Sequence, residues 1–466
     1  MMSNLYRAEL ARLAGSVRVR WIAGAIAAMI LLAFASSWIE AKNTLTEVER
    51  IETAERERWL NQDPKNPHSA AHYGQWLFKR ASPLATLDAG VDPYVGRMMR
   101  AEAHHYNDAV FRSAQDAGPL AASGIGTVAD IVHLIVPLAA ILLGFSAFAL
   151  DRERGTLRLA LGNGARAGPL LAARFGALMT VLGAAVIIPA ILAGLLAMAT
   201  LDAHGWQAGP RLAVWAGSEF IYLAVFLGLS LIASLWANTA RAALGVSLLA
   251  WAVFCVLVPR LATAGIEEIA PTPSQPDMFA AVERRTNDYN RAENEAARRD
   301  ALLARYGATS DEEMPIDVTG ALGHAREQHD YAAYDAGLAD FNAALERQDR
   351  LAGWAGLLSP MIAIQSVSQA VAGTDYTRHV AFLTSAEGYR RLLVDTMNLD
   401  RVANPPVDGG AYLAGREVWE TVPPFQPAPP SFGATMRDLA IPLTILALWV
   451  AAITAVALTV AKKVRP

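Results

Sequence analysis

Three groups of residues in this 466-residue chain have the types and spacing to do chemistry. His68 and His72 stand four apart, and Glu102, His104 and His105 form a second cluster further along. If both stretches are helical and converge, their imidazoles make a site for copper, zinc or nickel. The plainer alternative is solvated or hydrogen-bonded histidines. Glu219 is the second feature, an acid set inside an apolar run eight residues after Arg211. An ionisable group in lipid is costly and turns inward, so Glu219 is expected to line a conduit or to bond a neighbouring helix. Asp130 and His133 open another apolar run, near its outer end, where hydration is easy.

The third group is Asp151-Arg152-Glu153-Arg154-Gly155-Thr156-Leu157-Arg158. It follows one apolar run directly and precedes another. A charged, helix-forming segment held at the membrane surface between two spans suits a protein that takes force from a soluble partner. Gly155 permits a sharp exit, Thr156 is placed to cap the next helix, and the arginines can form charge-assisted bonds to acidic groups. The competing reading is that these arginines only pin a loop to lipid headgroups. No Ser/His/Asp set or paired acids with a catalytic context is present, so this chain is not expected to be an enzyme. Only Lys42, Lys65, Lys79, Lys462 and Lys463 are lysine, and none precedes Ser or Thr. The chain therefore has no P-loop, and any ATP and magnesium belong to another subunit, with no cofactor held here.

These residues must be positioned by membrane helices. Apolar residues make up 53% of the chain and the mean hydropathy is +0.25, high for a soluble protein of this size. A helix needs about 20 mostly apolar residues to cross the hydrocarbon. Six segments qualify, at about 21–39, 128–150, 175–200, 212–236, 242–261 and 437–461. The first is long for a signal peptide and ends in Glu40-Ala41-Lys42, so it reads as an uncleaved anchor. Basic residues set the orientation. Arg7, Arg12, Arg18 and Arg20 precede the first span, Arg152, Arg154, Arg158, Arg166 and Arg174 lie within or around the 151–174 loop, Arg241 follows the fourth, and Lys462, Lys463 and Arg465 end the chain. With six spans all these groups share one face, so both termini are expected to be cytoplasmic. The opposite face receives 40–127, a short turn at 201–211, and 262–436. The lone Cys255 permits no intrachain disulfide.

Residues 1–20 read as an amphipathic surface helix on Tyr6, Leu10, Leu13 and Val17, or as a plain charged leader. Segment 40–62 is helix-favouring and continues the first span as a stalk. Further helices are expected near 94–116, over 277–306 and over 321–352, the last with Tyr331, Tyr334, Leu338, Phe341 and Leu345 on one stripe. The prolines from Val422 to Pro430 call for an extended strap into the sixth span.

The chain resembles the ABC-2-type exporter permeases, in the branch with long insertions after spans one and five, which is grouped loosely with multicopper-enzyme maturation permeases. The resemblance covers nearly the whole chain. It rests on Arg152-Glu153-Arg154-Gly155-Thr156-Leu157, on the six-span order, and on branch-specific stretches such as His68-Ser69-Ala70-Ala71-His72-Tyr73-Gly74, Gly90-Val91-Asp92-Pro93-Tyr94, Leu358-Ser359-Pro360, Ala372-Gly373-Thr374-Asp375 and Val422-Pro423-Pro424-Phe425. It implies an all-α integral membrane protein of the bacterial inner membrane, with six spans and a mostly helical extracytoplasmic domain built from two insertions. It implies two copies of an ATP-binding subunit as partners, a second permease (a paralogue), a possible periplasmic protein, and no nucleic acid. The coupling helix of such permeases falls on about Arg152 to Arg166. A mechanotransmission subunit, which drives an envelope partner and moves nothing across the bilayer, is the alternative.

Overall fold

A computed structural model describes residues 2–116, 126–201, 205–272, 274–405 and 411–464. Arg465, one of the orienting cations, lies outside the described residues. Among the described residues, six helices are long and apolar enough to cross a membrane. They are Val17–Leu60 (α2), Val128–Glu153 (α4), Ala167–Thr200 (α6), Ala208–Trp236 (α7), Ala240–Ile269 (α8) and Ala440–Lys463 (α15). This is the architecture of an all-α, multi-pass membrane protein. Large apolar side chains such as Trp21, Leu32, Leu192 and Leu249 are exposed, as lipid-facing positions should be.

A short helix, Met2–Gly15 (α1), precedes the first span. Ser16 breaks the two apart, its hydroxyl accepting from the Val19 amide, which is N-cap chemistry. Helix α1 lies against α6, where the Tyr6 hydroxyl meets Thr180 Oγ1 at 3.0 Å. Helix α2 runs unbroken for 44 residues, roughly 66 Å at 1.5 Å per residue, so it continues well past the bilayer as a stalk. Its far end is fixed by Trp59, fully buried, whose indole donates to the Trp419 carbonyl at 2.8 Å.

Two spans carry π-helical segments, Ile131–Ile135 and Ala252–Leu257, each just ahead of a proline, Pro137 and Pro259. Proline has no N–H to give the carbonyl four residues back, and the loosened turns find side-chain donors instead. Tyr222 Oη donates to the His133 carbonyl at 2.8 Å. Trp251 Nε1 donates to that of Leu134 at 3.1 Å, and Ser359 Oγ to that of Phe254 at 2.5 Å. Spans α4 and α7 close tightly because Gly144 has no side chain; a Cβ there would stand 2.6 Å from Ser230 Oγ.

The insertions after α2 and α8 fold into one body at the end of the bundle away from both termini. The first gives a short helix, Pro67–Tyr73 (α3), and an antiparallel hairpin of Gln75–Phe78 (β1) and Met98–Ala101 (β2), with Gln75 opposite Ala101 and Phe78 opposite Met98. The helix expected near 94–116 is therefore replaced largely by a strand and loop. The residues there are compatible with a helix, but pairing with β1 and burial of Met99 and Ala101 override that propensity. In the second insertion the stretch 277–306 is two helices, Gln275–Tyr289 (α9) and Ala292–Tyr306 (α10), rather than one. A 38-residue helix, Val318–Ala355 (α11), returns towards the bilayer.

The chain then reaches in among the spans. Trp449 Nε1 donates to the Gly356 carbonyl at 2.9 Å, and Trp449 lies nine residues into α15, roughly 14 Å along it. From that depth the helix Pro360–Ala372 (α12), capped by Ser359, climbs outward. Its Ile364, Val367 and Val371 are fully buried in the same core as the spans. Part of the second insertion thus packs among the apolar helices rather than beyond them. Helix Tyr376–Ala403 (α13) then roofs the hairpin. A non-helical strap through Val422 and Phe425 leads by Phe432–Asp438 (α14) into α15.

Candidate functional site

The hinge between α4 and α6 is the first site. Gly155 takes a left-handed φ of 74°, where glycine escapes the penalty that a Cβ brings, and turns the chain into Thr156–Gly162 (α5). Thr156 does not cap this helix, contrary to expectation; its hydroxyl instead donates back to the Asp151 carbonyl at 3.1 Å. The arginines divide into two sets. Arg152 folds inward, donating to the carbonyls of Leu235 at 2.7 Å and Ala237 at 2.6 Å. These are orphan acceptors at the C-terminal end of α7, where a cation is favoured. Glu153 accepts from the Ala240 amide at 3.0 Å, at the N-terminus of α8, where an anion is favoured. Arg154 and Arg158 are exposed, while Leu157 between them is buried. Beneath the hinge, Arg174 binds Asp151 at 2.6 Å and Glu9 of α1 at 3.0 Å and also contacts the Ala147 carbonyl.

The second site lies inside the bundle. Glu219 has no exposure, and its Oε1 pairs with His133 Nε2 at 2.9 Å. The expectation that His133 sits where hydration is easy is wrong: it is 3% exposed, because the first insertion folds back over the end of α4. Asp88 of that insertion is buried beside the pair. It accepts from Ser368 of α12 at 2.5 Å, and Trp215 of α7 donates to the same hydroxyl at 2.9 Å. Burial pushes the Asp88 carboxyl above its ordinary value, against the pull of His133. Asp130, by contrast, closes a capping box with Thr127, a structural role. Glu219 thus bonds a neighbouring helix, and its carboxylate is sealed within the chain.

The third site is in the domain beyond the spans. Helix α3, started by Asn66 and Pro67, puts His68 and His72 on one face. His104 joins them from the turn after β2, at a φ of 63° that non-glycine residues adopt rarely. Nε2 of His68 lies 3.2 Å from Nε2 of His72 and 3.2 Å from Nε2 of His104. His105 is outside this set; Glu102 faces it across an isolated bridge and binds Arg100 at 2.8 Å. Glu327 of α11, 1% exposed, contacts His104 Nδ1. Asn398 of α13 meets His68 Nδ1 at 2.8 Å. Burial holds His68 and His72 below the ordinary histidine value. Burial acts to raise the Glu327 carboxyl, but His104 and Arg390 outweigh it and hold it below the usual carboxylate range.

Glu327 and Asn398 escape notice in the sequence, yet each interrupts an apolar pattern. Glu327 stands four before Tyr331, on the stripe that continues to Tyr334 and Leu338. Asn398 stands four after Val394. A polar residue on the buried stripe of a helix is the signal that marks both. Next to this cluster a cleft of about 420 Å³ opens between the insertions, lined by Tyr94, Tyr334, Phe341, Tyr376, Arg112 and Arg391 among others.

No curated protein matches the chain. Residues 278–428 match the family model described as a domain of unknown function (DUF3526), a stretch that takes in α10 to α13 and contributes Glu327 and Asn398.

Proposed function

We propose that this chain is the membrane-spanning permease subunit of an ATP-driven ABC-2-type exporter, coupled to a separate ATP-binding subunit. The carrying observation is the division of labour in the hinge. Arg154 and Arg158 are presented outward, while Arg152 and Glu153 are bonded to the ends of α7 and α8. A push delivered to α5 passes through these bonds into both spans, and through Arg174 into α1 and α6. A loop that only rests on headgroups has no need of the inward bonds. In this reading ATP binding closes the partner subunits, the hinges rotate, and the spans open a route at the interface with a second permease, by alternating access. The aromatic cleft between the insertions receives the cargo.

The mechanotransmission reading has one observation in its favour. Glu219 is sealed against His133, and α12 joins the outer body directly to α7, α8 and α15, so force can reach that body with no conduit opening. ATP-dependent movement of the outer body without any flux would favour this second reading.

Reversing both exposed charges, Arg154→Glu with Arg158→Glu, tests the shared core of the two readings. Surface changes of this kind alter stability by about 0.5 kcal/mol or less, so the variant should fold. Recovery of an ATP-binding subunit with the tagged variant from native membranes should fall by at least about tenfold, the effect of losing roughly 1.4 kcal/mol of interface energy. Undiminished recovery would overturn the assignment of the hinge.

A further inference from the structure

We propose that His68, His72 and His104 bind one divalent transition-metal ion, Zn²⁺ or Cu²⁺, with Glu327 and Asn398 positioning two of the three rings. The inference does not depend on the transport reading.

The spacing of the donors is the first argument. Imidazole nitrogens bind zinc at about 2.0–2.1 Å in a tetrahedral shell, which sets two ligands roughly 3.3–3.4 Å apart. Here two of the Nε2···Nε2 separations are 3.2 Å, and all three donor atoms lie within 4.8 Å of one another. Two edges of a ligand tetrahedron are thus already in place, and the third, between His72 and His104, closes by rotation of the exposed His72 ring.

The protons point the same way. His68 Nδ1 faces the amide oxygen of Asn398 and His104 Nδ1 faces the Glu327 carboxylate. Both partners offer an oxygen acceptor, and a proton held on Nδ1 of each ring leaves a bare lone pair turned inward at Nε2. Two lone pairs 3.2 Å apart repel each other, and a cation between them reverses the sign of that interaction. Histidine ligands with their far nitrogen held by a carboxylate or amide oxygen are the usual supporting arrangement of protein metal sites. The left-handed backbone at His104, which non-glycine residues adopt rarely, delivers this ring to the cluster.

The donor set selects the ion. Three imidazole nitrogens suit zinc, copper and nickel, whereas calcium and magnesium demand oxygen. His72 is exposed, so the remaining corner of the shell faces solvent and is open to water or to a further ligand. Because α3 and the hairpin turn supply the ligands and α11 and α13 the supports, the ion fastens the first insertion to the second.

The test uses the full chain in detergent or nanodiscs, stripped by chelator and titrated with Zn²⁺ alone and Cu²⁺ alone. One ion per chain is expected, in the micromolar range or tighter, with a rise in the melting temperature. Co²⁺ should give the visible absorption of a tetrahedral site. His72→Ala, at an exposed position, should weaken binding at least about 100-fold with the circular dichroism unchanged. Glu327→Gln should keep the stoichiometry and weaken binding about 10–100-fold, as loss of a supporting partner does. His324→Ala, which lies outside the cluster, should bind as the parent does. Failure of the parent to bind either ion saturably, or binding untouched by His72→Ala combined with His104→Ala, would overturn the site.

Discussion

Glu219→Ala is expected to destabilise the spanning bundle by about 1–3 kcal/mol, the cost of leaving a buried polar partner unsatisfied. Its carboxylate is fully buried against His133, and the deletion leaves that imidazole among Tyr222, Asp88 and apolar walls. Two magnitudes compete here. A lone hydrogen bond between helices in lipid averages about 0.6 kcal/mol and rarely exceeds 2, because the opened state finds other partners. The larger figure wins because this pair joins α4 to α7 and lies beside Asp88, which ties in the first insertion and α12. Denaturant unfolding in micelles measures the loss. His133→Ala in the same background should be non-additive by more than about 1 kcal/mol, as residues in one network are. A loss under about 1 kcal/mol for Glu219→Ala would mean that the pair is an isolated hydrogen bond and not a fastening of the bundle.

Arg390→Met should unfold the outer body with a larger loss, about 3–5 kcal/mol. Arg390 is completely buried and bonds Glu387 through two nitrogens, at 2.7 and 2.9 Å. It also reaches the Glu102 carbonyl at 3.3 Å and packs its guanidinium over Tyr106 and Tyr331. One side chain thereby joins the hairpin loop, α11 and α13, and neutralises the buried Glu327 nearby. Methionine keeps much of the volume and none of the charge, so Glu327 loses its cation while Glu387 retains Arg391 at 2.7 Å. Limited proteolysis and thermal melting of the full chain should both register the change. A shift within about 0.5 kcal/mol, the range of an ordinary surface substitution, would show that packing alone holds the two insertions together.

The spans were legible in the sequence because lipid imposes a simple demand: long apolar runs ended by charge. The outer body was less so, for reasons particular residues make plain. Met98 to Ala101 have no strong strand preference, and only the partner Gln75–Phe78, distant in the chain, makes them a strand. No glycine or proline marks the break at Asn290 and Arg291, so the two helices there read as one. The convergence of His68 and His72 with His104 depended on that hairpin, since a helix over 94–116 would have aimed His104 elsewhere. His133 was misplaced because its burial comes from the first insertion folding back over the bundle, which no local pattern records. The helix α12 was hidden for a similar reason: its 13 residues are too few to span, and its depth is fixed by contacts with Phe254 and Trp449.

Arg152 and Glu153 fasten the hinge to the ends of α7 and α8, and the proposed coupling requires a partner that engages exposed Arg154 and Arg158. Cys255 is the only cysteine and is buried, so a thiol introduced at exposed Arg158 is the sole reactive one. The most direct test is to place a cross-linker on Arg158→Cys in native membranes and identify what it captures by mass spectrometry. An ATP-binding subunit is the predicted product, absent when the same probe sits at Trp21→Cys on the lipid-facing side of α2. Capture of no ATP-binding chain from Arg158→Cys, with the protein folded and labelled, would contradict the coupling assignment and leave the hinge as a lipid anchor.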